Sequence, residues 1–178
     1  MIGAWFRLGM FLLGSVGIAR LSLESLKDRR SHGFYRAFAF EILLALFLIN
    51  VPAWLETPLA PLQLASWILL VISAALAIHG LSILRRRGRP ASSLESTTML
   101  VTSGIYRFIR HPLYASLLYL GWGIFFKRLT PISTALTAAA TLSLYLTART
   151  EERENVYKFG DSYVDYMAKT KRFIPFVF

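Results

Sequence analysis

Three of the chain's ten acidic residues fall within four positions, at Glu151, Glu152 and Glu154. They follow directly on an apolar run, where a carboxylate needs water or a cationic partner. A cationic or amine-bearing ligand is one such partner. Arg149, Arg153 and Lys158 are the other, in which case the cluster is a solvated helix face. Upstream stands Leu100-Val101-Thr-Ser-Gly104-Ile-Tyr106-Arg-Phe-Ile-Arg110-His111-Pro112-Leu-Tyr114. Proline suits the first turn of a helix, where its missing N–H costs nothing. The N–H groups of Leu113 to Ala115 are then expected to be unpaired, and Arg110 and His111 flank them. Such a helix start is a site for an anion, a carboxylate or phosphate. The same arginines and tyrosines also suit a plain interfacial anchor.

Two further ionisable residues sit inside apolar runs. Glu41 lies five residues past Arg36, and His79 lies six before Arg85. At helical rise these are roughly 7.5 and 9 Å beyond the basic edge, at similar depth. Ionisable groups within a span face a bundle interior or a wet cavity. Glu41 and His79 are therefore expected either to line a substrate pocket or to form a structural hydrogen-bonded pair.

The elements that must position these residues are apolar blocks at 8–19, 37–55, 62–84, 113–126 and 132–148. Of 178 residues, 55% are hydrophobic and only 17% charged. That excludes a disordered chain and argues against an ordinary soluble domain. Blocks two and three are long enough to span a bilayer, and block five marginally so. Block one reaches span length if it begins near Ile2 and takes in Arg7, which can snorkel. Its basic cluster follows the apolar stretch, the reverse of a cleaved signal peptide. Block four is short and ends in Lys127-Arg128, so blocks four and five read as a helical hairpin. The expected fold is all-α: a polytopic bundle of five transmembrane helices with additional C-terminal helices in the cytoplasm, forming one domain over 1–178.

The net charge is +10, from 20 basic and 10 acidic residues. The basic residues lie between apolar blocks, where they set topology or meet anionic headgroups rather than nucleic acid. Arg20, Lys27, Arg29, Arg30 and Arg36 follow block one. Arg85, Arg86, Arg87, Arg89, Arg107 and Arg110 follow block three. Arg149, Arg153, Lys158, Lys169, Lys171 and Arg172 follow block five. Only Arg7, Lys127 and Arg128 lie on the other side. The N-terminus is thus expected outside and the C-terminus in the cytoplasm.

The cytoplasmic polar segments are 85–111, with its 92–98 polar run, and 149–178. The second reads as two helices. Glu154 and Lys158 form an i,i+4 pair in the first, Gly160 caps its end, and Asp161 or Ser162 caps the start of the next. In that next helix Tyr163, Tyr166, Met167 and Thr170 share one face. Cysteine is absent and histidine occurs three times, so a zinc site is not expected. No Walker lysine motif, Gly-x-Gly-x-x-Gly, His-Glu-x-x-His or Gly-x-Ser-x-Gly is present.

Three pieces occur in order: Leu-Val-Thr-Ser-Gly-Ile-Tyr-x3-Arg-His-Pro-x-Tyr, Glu151-Glu152-x6-Phe159-Gly160-x2-Tyr163-x2-Tyr166, and Arg172-Phe-Ile-Pro175. Together they resemble the isoprenylcysteine carboxyl methyltransferase family, which belongs with the small membrane phospholipid methyltransferases. The resemblance covers about 85–178, the half expected to hold a cofactor, while 1–84 carries no matching motif and varies with substrate in such enzymes. It implies S-adenosylmethionine as methyl donor. The donor would be enclosed on the cytoplasmic side by the loop before the fourth helix and by the C-terminal helices. It also implies a lipid or prenylated acceptor entering laterally from the bilayer.

Carried over by position, Leu100, Val101, Gly104, Tyr106, Arg110, His111, Pro112, Tyr114, Glu151 and Glu152 are the candidate cofactor residues. Glu152 and Lys158 are the candidate catalytic residues, and Glu41 and His79 the candidate substrate residues. Gly-Ile-Tyr stands where Gly-Pro-Tyr is common. The family often has Arg where Lys158 stands, and Lys lacks the planar fork that grips a carboxylate.

The charges agree with this resemblance. The helix start with Arg110 and His111 suits the donor's carboxylate, and Glu151 and Glu152 suit its ammonium. Methyl transfer is a direct displacement that rests on alignment in a water-poor site. A carboxylate acceptor needs no base. An ammonium acceptor needs one, which Glu152 or the Glu41/His79 pair would supply. The expected activity is carboxyl methylation of a prenylcysteine-like thioether, with ethanolamine N-methylation of a phospholipid as the alternative. Membrane sterol or enone reductases using NADPH share this kind of C-terminal half but are usually longer. A non-enzymatic membrane subunit is the remaining alternative.

Overall fold

Each apolar block folds as a helix because backbone N–H and C=O groups removed from water need each other as partners. The computed structural model describes residues 3–56, 60–88 and 98–177. Among the described residues six α-helices run in order: α1 (Ala4–Lys27), α2 (His32–Asn50), α3 (Pro61–Arg87), α4 (Pro112–Phe125), α5 (Pro131–Phe159) and α6 (Asp161–Lys169). A single 3-10 turn (Val51–Ala53) extends α2, and another (Gly104–Arg107) precedes α4. No strand occurs among the described residues. Ile109 and Lys171 form an isolated parallel bridge.

Among the described residues, three helices are long and apolar enough to cross a membrane: α1, α2 with its 3-10 extension, and α3. Their outer faces carry large exposed apolar side chains such as Trp5, Leu13 and Val71. Block four is the shorter apolar helix α4. Block five is the first part of α5, which runs 29 residues without a break into the acidic cluster. The first of the two expected C-terminal helices is therefore the end of α5. Gly160 closes α5 and also stands as N-cap of α6, the place expected for Asp161 or Ser162. Its φ of +59° and ψ of −140° lie where only glycine is unstrained. The helix of block one likewise runs beyond the apolar stretch to Lys27, so Arg20 and Lys27 stand on a helix rather than in a loop. Of the basic edge, Arg89 lies outside the described residues, as does most of the 92–98 polar run.

The bundle is built from a trio of helices and a pair. α2 packs against α5 and α1, and α3 packs against α4. Buried serines bind α3 to α4 through backbone carbonyls. Ser66 Oγ donates to Gly123 O at 2.6 Å, and Ser73 Oγ donates to Ser116 O at 2.7 Å. Such hydroxyls glue helices where water does not compete. Buried Asn50 ties α2 to α5, its Nδ2 donating to Leu46 O at 2.9 Å and Ser133 Oγ at 3.1 Å. The core sits toward the end where the motifs gather. Ala39, Ile109, Tyr114, Ala115, Leu144, Ala148 and Phe173 form one buried cluster.

Candidate functional site

α4 starts as its proline predicts. Pro112 occupies the first turn and His111 the N-cap. The N–H of Ala115 pairs with His111 O at 2.8 Å, so one of the three expected free donors is satisfied within the helix. The preceding segment is fixed by the C-terminal end of the chain. Arg110 N donates to Lys171 O at 2.8 Å, His111 N to Arg172 O at 3.2 Å, and Lys171 N to Phe108 O at 3.1 Å.

Gly104 opens the 3-10 turn with φ +64°. A Cβ there would also lie 2.2 Å from Ile83 Cδ1 of α3. The turn brings Tyr106 inward, and the Tyr166 hydroxyl donates to Tyr106 O at 2.7 Å, docking α6 on it. On α6, Tyr163 and Tyr166 are buried and Thr170 follows them, as the helical spacing predicts.

These elements enclose a cavity of about 190 Å³. Of the residues expected at a cofactor, Leu100, Val101, Tyr106, Arg110, His111, Pro112, Tyr114 and Glu151 line it. Gly104 and Glu152 do not. Gly104 shapes the turn behind Tyr106. The Glu152 side chain turns toward two guanidinium groups: Arg110 Nε at 2.9 Å, and Arg172 Nη2 at 2.6 Å with its Nε at 3.1 Å. Lys158, expected at the chemistry, is exposed on α5 with its ammonium 5.2 Å from the Phe159 ring centre, and is not in the cavity wall.

Glu41 and His79 are not brought to this wall either. Ser15 Oγ of α1 donates to Glu41 Oε2 at 2.7 Å, so Glu41 faces the α1–α2 interface. His79 is exposed on α3, with its Nε2 3.8 Å from where a Gly104 Cβ would stand. Equal depth along two helices fixes height but not direction, and their side chains point to different neighbours.

Asn155, Leu84 and Met99 also line the cavity, and none of them belongs to the sequence motifs. Asn155 stands one helical turn past Glu151, and that spacing alone would have placed it on the same face. Leu84 and Met99 are ordinary apolar residues with no distinguishing signal.

The electrostatics are those of a locked charge cluster. His111 is buried between two carboxylates, with Nδ1 3.6 Å from Glu151 Oε2 and Nε2 3.3 Å from Glu152 Oε1. Burial disfavours its charged form, but the bonds and charges of Glu151 and Glu152 outweigh burial and raise its pKa. Burial likewise pushes Glu151 up, while His111, His32 and the Tyr114 hydroxyl bring it down to about 2. Glu152 is held well below the usual carboxylate range, burial being overcome by His111, Arg172 and Arg110. The Tyr106 phenol is pushed far up by burial and by the Glu151 charge, so it stays neutral. Glu154, the third acid of the cluster, serves the fold. Its carboxylate accepts from the His32 backbone N at 2.9 Å and meets the His32 ring at 2.5 Å, pinning the start of α2 to α5.

The donor set has three parts. A helix start at Pro112 can receive a carboxylate. Glu151 offers a fixed negative charge. Tyr106, Tyr163, Tyr166 and Phe159 offer aromatic faces, which attract cations and stack on flat rings. A membrane-embedded helical bundle with an aromatic, charged cavity at one end is thus the class of protein that fold and site define.

The family model described as Phospholipid methyltransferase matches residues 62–162, and the chain belongs to that family. It is 34% identical over 88 residues to Protein-S-isoprenylcysteine O-methyltransferase of Mus musculus, covering 48% of this chain and 31% of that protein. The human protein of the same name is 34% identical over 85 residues, covering 47% and 30% respectively. Methanethiol S-methyltransferase 1 of Bradyrhizobium diazoefficiens is 27% identical over 131 residues, covering 68% of this chain and 42% of its own. The match thus spans about a third of the length of the isoprenylcysteine relatives and under half of the methanethiol one.

Proposed function

We propose that the protein is an S-adenosylmethionine-dependent methyltransferase acting on a membrane-embedded, lipophilic acceptor that arrives already anionic. The carboxylate of a prenylcysteine-like thioether is the acceptor it suits best. When bound, S-adenosylmethionine supplies an electrophilic methyl group on a sulfonium. The chain's own contributions are binding, orientation and exclusion of water. The start of α4 receives the donor's carboxylate, Glu151 its ammonium, and the tyrosine walls its aromatic and cationic parts. Three of the fold's spans hold the lipid side. Counting α4 and α5 as membrane helices gives five, and the one-sided distribution of basic residues puts the cavity and the C-terminus in the cytoplasm.

One observation carries the choice of acceptor. Glu151 in the cavity wall and Glu152 behind it are held well below the usual carboxylate range, and the pKa of His111 between them is raised. A carboxylate far below its usual pKa accepts a proton poorly at neutral pH, and so does an imidazolium. None of them is a ready base for an ammonium acceptor. A carboxylate acceptor needs none. This reading gives Glu152 a structural role in place of proton acceptance.

The test is transfer of radiolabelled methyl from S-adenosylmethionine to a panel of prenyl-thioether acids, phosphatidylethanolamine and small thiols. The purified protein is assayed in lipid nanodiscs. Label in a base-labile ester is the expected result. Base-stable label in phosphatidylethanolamine would overturn the acceptor reading, as would a volatile thioether product. Absence of both transfer and calorimetric binding of the donor would overturn the enzyme reading.

A further inference from the structure

The residues after α6 return across the site as a strap. The backbone bonds of Lys171 and Arg172 to residues 108–111 join the end of the chain to the segment that starts α4. Phe173, 3% exposed, enters the buried cluster beside Ile109 and Tyr114, its ring centre 6.3 Å from that of His111. Arg110 Nη1 donates to Met167 O at 3.1 Å and to Thr170 O, at the end of α6. α6 therefore lies between Gly160 on one side and the strap on the other. Its Tyr163 and Tyr166 form part of the cavity wall.

Glu152 is where these parts meet. Its carboxylate takes two hydrogen bonds from the Arg172 guanidinium and one from Arg110, with the side chains 8, 19 and 10% exposed. One guanidinium comes from each of the two bridged segments. Adjacent helical positions point about 100° apart, which is why Glu151 faces the cavity while Glu152 faces the strap. Two-point pairing of Arg with a carboxylate fixes direction as well as distance.

We infer that Arg172 is a positioning residue which, through Glu152, latches the C-terminal strap and so sets the α6 wall of the cavity and the orientation of Arg110 and His111. Arg172 is not among the residues lining the cavity. The inference rests on the donor-binding reading above. If the donor binds only with the strap latched, its apparent affinity scales with the latched fraction. Loss of a buried, charge-assisted hydrogen-bonded pair lowers that fraction by about tenfold or more.

The test uses the full chain in nanodiscs with Arg172→Ala, Arg172→Lys and, as a surface control, Lys171→Ala. Hydrogen exchange without any ligand reads the latch. Arg172→Ala should speed exchange at the amides of Arg110, His111 and Lys171 while leaving α5 near Leu144 unchanged. Calorimetry should then show an S-adenosylmethionine Kd raised about tenfold or more, with the acceptor KM within about twofold of wild type. Arg172→Lys should recover part of both effects, and Lys171→Ala should match wild type. Unchanged exchange at Arg110 and His111 in Arg172→Ala would overturn the latch. Faster exchange spread throughout α5 would reduce Arg172 to a general stabiliser and overturn it too. An opened strap with wild-type donor affinity would overturn its link to the cavity. A wild-type protein that binds no donor would refute the proposed function, while the exchange comparison would still decide the latch.

Discussion

Replacing Glu151 by Gln tests the charge cluster directly. The side chain is 25% exposed and stands 3.6 Å from His111. Burial alone would raise its pKa, yet His111, His32 and the Tyr114 hydroxyl bring it from 4.5 to about 2. That fall corresponds to about 3 kcal/mol in favour of the ionised form of the folded protein. The folded pKa lies below the unfolded one, so this stabilisation is fully present above pH 4.5 and is lost as pH falls toward 2. Gln cannot titrate. The difference in unfolding free energy between wild type and Glu151→Gln should therefore shrink by about 3 kcal/mol between pH 6 and pH 2. The acid response of Glu152 occurs in both proteins and largely cancels. Denaturant titrations in mixed micelles at several pH values give the two curves. A difference that stays constant across this range would show that the Glu151 carboxylate gains nothing from its neighbours on folding.

Gly104→Ala should destabilise the protein by about 1–2 kcal/mol through its positive φ, even when Ile83→Ala removes the side chain in its way. Thermal unfolding of the double variant against Ile83→Ala alone checks this, and equal midpoints would show that the backbone there is unstrained. A reporter fused after Phe178 should be active only on the cytoplasmic side. Activity on the opposite face would reverse the proposed topology.

The helices of blocks two and three were legible because their apolar runs have span length, and the start of α4 because proline and the adjacent basic residues mark it. Gly160 was legible as a break because glycine is favoured just past the end of a helix. The division of labour between Glu151 and Glu152 was not. Both are acidic and adjacent, and which one turns away from the cavity depends on how α5 packs against Arg110 and Arg172. Glu41 and His79 show the same limit from the other side. Counting residues from the basic edge gives their depth, but the azimuth of each depends on packing, and Ser15 of α1 claims Glu41. The strap was visible as Arg172-Phe-Ile-Pro175, yet its pairing with residues 108–111 is a contact between distant segments that spacing cannot express.

The brevity of α4 has a consequence for how the protein is made. Its 14 residues rise about 21 Å, short of a hydrocarbon core of about 30 Å. It is followed by Lys127, whose ammonium is buried against aromatic rings, 3.5 Å from the Trp67 ring centre and 5.4 Å from that of Trp54. A segment this short, with a cation at its far end, is a poor candidate for independent release into lipid. α3 is synthesised first and carries what α4 needs: Ser66 and Ser73 for two of its carbonyls, and Trp67 for the lysine. On the five-helix topology proposed above, integration of α4 would be a cooperative step taken with α3 as its template, and a chain lacking α3 should leave α4 stranded at the insertion machinery.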